Sequence, residues 1–281
     1  MRQVLFLLIN KIRSWSGDWH VIMALIFGIL VCIYNCTSYI DFANFATGKI
    51  NILEPYVVVG NDGWSFLGVF LGNILFLSDS PFVSKISKYE ILRVGKVRWL
   101  LSKTLYIVLS CLFYSFLILI VSSIYTLTRA EGVSFTNSWS QSMNILAFEQ
   151  PSYATSAFRL SFGYSDFVGS ESPVSAALLT ILFNSLYAIT LCLIIMTINI
   201  IIGKNTGWVV ASVIHIAGYI IFANGGLEIP YRFSMLCYAL PALYSVAELN
   251  MSMFFALSFG MLLIIICYEI AKIAIIHVEM E

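Results

Sequence analysis

The chain has 281 residues, 60% of them hydrophobic and 11% charged, with fifteen Lys and Arg balancing fifteen Asp and Glu and a mean hydropathy of +0.91. A soluble domain carries roughly 25% charged residues, so a water-soluble globule is excluded and an integral membrane protein is expected. With no net charge, electrostatic partners are met by local patches, and nothing points to nucleic-acid binding.

Residues 1–18 join an apolar run (Val4 to Ile9, Ile12, Trp15) to Arg2, Lys11 and Arg13. That is the make-up of a helix lying along a membrane surface. A signal peptide carries its charges before the apolar core, whereas here basic residues follow it, so an uncleaved amphipathic helix is expected. Residues 19–40 hold no Asp, Glu, Lys or Arg, and about 20 apolar residues cross a bilayer, which makes them the first span. The segment 41–62, with Asp41, Glu54 and Asp62 against Lys49, reads as an external connection. A second span over 58–78 is short in charge-free length, with Trp64 as an interfacial anchor.

Residues 79–98 are strongly basic. Within 78–103 stand Lys85, Lys88, Arg93, Lys96, Arg98 and Lys103 against Asp79 and Glu90. Pro81 suits a first helical turn, and Phe82, Ile86 and Tyr89 recur at intervals of four and three, so a short helix is expected with one apolar face on the membrane or a partner. Gly95 breaks it before Trp99, Leu100 and Leu101 lead into a third span over 99–127. Residues 128–173 are the longest hydrophilic part. Trp139, Phe148, Tyr153, Phe158 and Tyr164 within them predict an ordered external cap rather than disorder.

The fourth and fifth spans, 174–203 and 206–223, form a hairpin around the turn GKNTG. Residues 233–246 are apolar, too short to cross, and contain Pro241, which fits a re-entrant or interfacial pair of half-helices. A last span covers 249–271. Six crossings with both termini cytoplasmic place Arg2, Lys11, Arg13, the basic stretch, Lys204 and Lys272 inside and leave Lys49, Arg129, Arg159 and Arg232 outside, as the positive-inside rule asks. The predicted fold is therefore all-α and polytopic, with six transmembrane helices in a plasma membrane. Cys32, Cys36, Cys111, Cys192, Cys237 and Cys267 all lie in apolar runs without CxxC or nearby His, so they read as small packing residues rather than disulfides or metal ligands.

This order of elements, and above all the stretch SKYEILRVGKVRWLLSK over 87–103, resembles the membrane permease subunit of type-two ABC exporters. The resemblance covers the whole chain in architecture and is concentrated in that stretch. It implies a coupling helix that docks on a cytoplasmic ABC ATPase subunit, present in two copies and binding ATP-Mg, with Lys88, Tyr89, Glu90 and Arg93 as the docking residues by position. It also implies pairing with a second permease protomer, the same or related. Spans two and five of the two protomers would then line the path of the cargo, placing Phe66, Phe70, Asn73, His215 and Tyr219 near it. Simpler readings stand beside these roles. The basic residues also serve to fix topology, Glu90 also pairs with Lys88 or Arg93 on an exposed face, and a lone Asn or His in a span also serves as an interhelical hydrogen bond.

The chain holds no engine of its own. Gly48-Lys49, Gly95-Lys96 and Gly203-Lys204 all lack the leading glycine and the following Ser or Thr of a phosphate-binding loop. His20, His215 and His277 are far apart, HExxH and GxSxG are absent, and only Glu269 brings a charge near a span, three residues before Lys272. An enzyme is not expected, and an ion-coupled carrier lacks its intramembrane charges. An externally powered pump for a hydrophobic or amphipathic peptide, lipid or drug is the leading expectation. A non-transport scaffold or sensor that recruits a cytoplasmic partner through the basic segment is the alternative, and a membrane enzyme would need chemistry at Glu269 or His215.

Overall fold

A backbone that leaves water must bond to itself, and each long charge-free run of this chain does so as a helix. The computed structural model describes residues 2–46, 48–78, 85–149, 151–160, 162, 164–202, 205–224, 234–245 and 252–277. The elements are α1 (Arg2–Arg13), α2 (Trp19–Ala46), β1 (Lys49–Asn51), α3 (Glu54–Asn61), α4 (Gly63–Phe76), α5 (Lys85–Val94), α6 (Lys96–Arg129), β2 (Gly132–Ser134), α7 (Gln141–Asn144), α8 (Pro151–Phe158), α9 (Ser165–Ser170), α10 (Pro173–Ile202), α11 (Gly207–Ala223) and α12 (Met253–His277). Residues 79–84 with Pro81 and Phe82, the Gly203-Lys204 pair of the inner turn, the external turn 225–233 with Arg232, and residues 246–251 are expectations that lie outside the described residues.

Among the described residues, α2, α6, α10 and α12 are long and apolar enough to cross a bilayer, and the protein is membrane-embedded. With 28, 34, 30 and 25 residues they reach about 42, 51, 45 and 38 Å at 1.5 Å per residue. The hydrocarbon core is about 30 Å thick, so these helices project beyond it. The apolar helices α4 and α11, with 14 and 17 residues, reach only about 21 and 26 Å.

The expected second span is not one helix. It breaks at Asp62, whose backbone is extended, into α3 and α4. The Asp62 carboxylate caps α4, accepting from the Ser65 amide at 2.8 Å and the Ser65 hydroxyl at 2.6 Å. Asn61 beside it donates to Val57 O at 2.9 Å and Thr180 Oγ1 at 3.0 Å, and accepts from the Ala242 amide at 2.9 Å. Nor is 41–62 an open external connection. Asp41 sits within α2, and every residue of α3 is buried.

The core forms around α10, the most enclosed of the long helices, which packs on α3, α6, α11 and α12. Two glycines let α2 and α4 close on each other. A Cβ at Gly28 would fall 2.0 Å from Tyr114 Oη, and one at Gly72 would fall 2.4 Å from the same oxygen and 3.0 Å from Gly28 Cα. Tyr114 fills the corner and donates to Val69 O at 2.7 Å, the small-residue close approach common in membrane helix pairs.

At one end of the bundle, α1 rests on α6 through Val4 and Leu8 and leaves Leu5, Phe6 and Ile9 exposed. At the other end, β1 and β2 pair in parallel, Ile50 opposite Val133, and α7 to α9 close over them. Within the expected 233–246 element, the described residues 234–245 form two short 3-10 turns, Cys237–Ala239 and Pro241–Ser245, largely buried. Among the described residues Pro241 opens the second turn, where its missing amide separates it from the first.

Candidate functional site

The basic connection builds an elbow. Ile91 is buried and seats α5. The Gly95 amide closes it onto Ile91 O at 2.7 Å, while Gly95 O receives the Trp99 amide at 3.0 Å. Gly95 joins the two helices at φ +90, a conformation that favours a residue without Cβ. Folding back at this point lays Glu90 over the first turns of α6. Its Oε2 accepts from Trp99 Nε1 at 2.9 Å and stands 3.1 Å from Lys103 Nζ. The ammonium in turn lies 5.5 Å from the Trp99 ring centroid. Trp99 is fully buried and Lys103 is 7% exposed.

Glu90, with 30% of its side chain accessible, is engaged by Trp99 and Lys103. Its bonds run within the chain, and neither Lys88 nor Arg93 is the partner in this ion pair. Tyr89, 75% exposed, and Leu92, 67% exposed, face outward with Arg93, and Lys88 is half-buried.

The residues expected along a cargo path fall into three places. Phe66 and Phe70 stack at 4.0 Å and both lie 6.1 Å from the His215 ring. His215 is fully buried between Tyr187 Oη, 2.7 Å from Nδ1, and Leu67 O, 3.0 Å from Nε2. A carbonyl only accepts, so Nε2 carries the proton and Nδ1 accepts from the tyrosine hydroxyl. One turn further along α4, Asn73 meets α6 and α10 instead. Its Oδ1 accepts from Cys192 Sγ at 3.4 Å and Cys111 Sγ at 3.9 Å, and its Nδ2 has no partner among the described residues. Tyr219 stands apart, edge-on to Trp64 at 5.9 Å. Phe66 and Phe70 share one small cavity, which neither Asn73, His215 nor Tyr219 lines. Next to the aromatic group a cavity of about 20 Å³, bounded by Tyr56, Phe66, Tyr114, Ser115 and Asn184, has room for a single water.

Sequence reasoning missed Glu54, which is completely buried at the end of α6 opposite α5. Its carboxylate gathers four donors: Tyr39 Oη at 2.9 Å, the Asn51 amide at 2.9 Å, and the Ser140 hydroxyl and amide at 2.8 and 2.6 Å. It ties α2, β1 and the 128–173 region together without a cation. Burial raises its pKa above the ordinary carboxylate value, against the four hydrogen bonds that favour the charged form. An acid beside a proline in a mildly acidic stretch looks like solvated loop, and the one local hint was Asn51 three residues before it.

Glu269 pairs with Lys272 at 3.0 Å on an exposed face. No group of three or more His, Cys, Asp or Glu able to hold a metal occurs among the described residues. No protein-family profile matches the chain, and no curated protein or solved structure is significantly similar to it.

Proposed function

We propose that this protein is the membrane permease subunit of an ATP-driven exporter. In this reading α5 is the surface on which a cytoplasmic ABC ATPase docks, in two copies that bind ATP-Mg. A second permease protomer, the same or related, completes the transmembrane path in the plasma membrane. The segment 58–78, α4 with the second half of α3, and the short helix α11 supply the second and fifth crossings beside α2, α6, α10 and α12, and both termini lie in the cytoplasm. The turns at 237–245 form the re-entrant element before the last crossing.

The observation that carries this reading is the elbow. A short helix with an outward face of Tyr89, Leu92 and Arg93, edged by the half-buried Lys88, is locked by Glu90, Trp99 and Lys103 to a 34-residue helix of the bundle. A push on α5 is thereby transmitted to α6 rather than absorbed by a loose loop. The cargo is hydrophobic or amphipathic, a peptide, lipid or drug, because α4 and α11, the helices this reading sets along the path, carry no Asp, Glu, Lys or Arg.

Affinity purification of the tagged chain from its native membrane tests this. A soluble nucleotide-binding ATPase copurifies in stoichiometric amount, and Lys88→Glu/Arg93→Glu removes it. If wild type brings down no ATPase, the recruiting-scaffold reading of the same surface takes its place.

A further inference from the structure

The two helices that carry the basic end of the molecule stand apart. Each rests on α6, and between them lies a groove of about 530 Å³. From α1 it is walled by Gln3, Phe6, Leu7 and Asn10, which recur at i, i+3, i+4 and i+7 and so form a single face. From α5 it is walled by Tyr89, Val94, the Glu90 already held by Trp99 and Lys103, and Arg93, which makes no ion pair among the described residues.

The charge around it is one-sided. Arg98 Nη1 reaches Gln3 Oε1 at 3.4 Å, Lys103 holds Glu90, and Lys11 is near enough to act on Lys103 electrostatically. Among the described residues Arg93 and Glu90 are the charged side chains that line the groove; Glu90 is already engaged by Lys103 and Trp99, which leaves Arg93, with Arg98 at the Gln3 edge, to meet an anion. The other character of the groove is apolar, and it opens sideways. Phe6 forms its lip and is 60% exposed, on the same helix that presents Leu5 and Ile9 outward. An acid with hydrocarbon attached matches both features, whereas a soluble anion matches only the first. Volumes of roughly 300–1,000 Å³ hold small-molecule ligands, and basic pockets between helices at the membrane surface take anionic head groups.

We propose that the groove between α1 and α5 binds one anionic phospholipid, its phosphate on Arg93 and Arg98 and its chains leaving past Phe6 into the bilayer. The proposal rests on α1 lying at the membrane surface and is independent of whether α5 carries an ATPase. Occupied, the lipid bridges two helices that each pack on α6.

Native mass spectrometry of the delipidated full-length chain, titrated separately with phosphatidylglycerol and phosphatidylcholine, tests it. Wild type retains phosphatidylglycerol in preference. Arg93→Gln weakens that binding about fivefold, the share of one basic residue at an anionic surface, and leaves phosphatidylcholine unchanged. Asn10→Trp fills the groove without altering charge and removes the preference; if that variant fails to fold, Arg93→Gln decides alone. Equal retention of the two lipids by wild type overturns the proposal, and so does unchanged phosphatidylglycerol binding in Arg93→Gln. Displacement of the bound lipid by inorganic phosphate assigns the site to a soluble anion and overturns it equally. Loss of ATPase copurification alone, with lipid preference intact, counts against the exporter reading and not against this one.

Discussion

Glu90→Gln is the sharpest perturbation of the elbow. It keeps the shape of the side chain and an acceptor for Trp99 Nε1, but it leaves Lys103, 7% exposed, without its counter-charge. Removing one partner of a buried pair costs about 3–5 kcal/mol because the other charge stays desolvated. Glu90 keeps 30% of its side chain accessible, which puts the expected loss near the lower figure, about 3 kcal/mol. Lys103→Met removes the stranded charge, so Glu90→Gln/Lys103→Met recovers most of that loss, and the cycle yields a coupling energy of roughly 2 kcal/mol or more. Reversible unfolding in mixed detergent and SDS measures all four free energies. A Glu90→Gln variant within about 0.5 kcal/mol of wild type, the range of a plain surface substitution, would show that the pair does not brace α5 on α6.

Three other positions give separable outcomes. Gly72→Ala places a methyl 3.0 Å from Gly28 Cα, where the obstacle is backbone, and loses about 1–3 kcal/mol in the same assay. Wild-type stability in that variant would mean that α2 and α4 do not close at this crossing. Tyr187→Phe removes the hydroxyl that His215 Nδ1 accepts from and costs about 0.6–1.7 kcal/mol, the range for hydrogen bonds between membrane helices. Tyr187→Phe/His215→Phe shows no further loss from that bond, and strictly additive losses would contradict it. Because burial raises the pKa of Glu54 in the folded protein, the folded state holds a proton that the unfolded chain has released. Stability therefore falls as pH rises from the ordinary glutamate range to the raised folded value and levels off above it. Glu54→Gln flattens that slope in unfolding free energies measured across mildly acid to neutral pH, and an unchanged slope assigns the dependence to another group.

The long helices were legible because the signal is local: charge-free runs of span length need no tertiary partner to be recognised. The break in the second span was not. Asn61 and Asp62 read as the end of a loop, and the groups that make them a buried joint, Thr180 and the Ala242 amide, lie 119 and 181 positions further on. The elbow was half legible. Gly95 announced a break and the basic residues announced a surface, but helical periodicity cannot pair Glu90 with residues nine and thirteen positions later across a turn. His215 and the two phenylalanines stood out as a polar residue among aromatics. That Asn73 faces a different pair of helices, with two cysteines as donors, follows from how α4 is rotated against α6 and α10, which spacing alone does not set. Glu54 was hidden because its donors come from three separate stretches, at Tyr39, Asn51 and Ser140.

The most direct test of the central claim is a photo-crosslinking amino acid at position 89, on the outward side of α5 where Tyr89 is 75% exposed, activated in the intact native membrane with a tag on this chain. The predicted product joins the protein to a cytoplasmic nucleotide-binding ATPase, and it diminishes in Lys88→Glu/Arg93→Glu. A crosslink only to lipid, to an extracytoplasmic protein, or to a cytoplasmic protein without a nucleotide site would contradict the assignment of α5 as the coupling surface of an exporter.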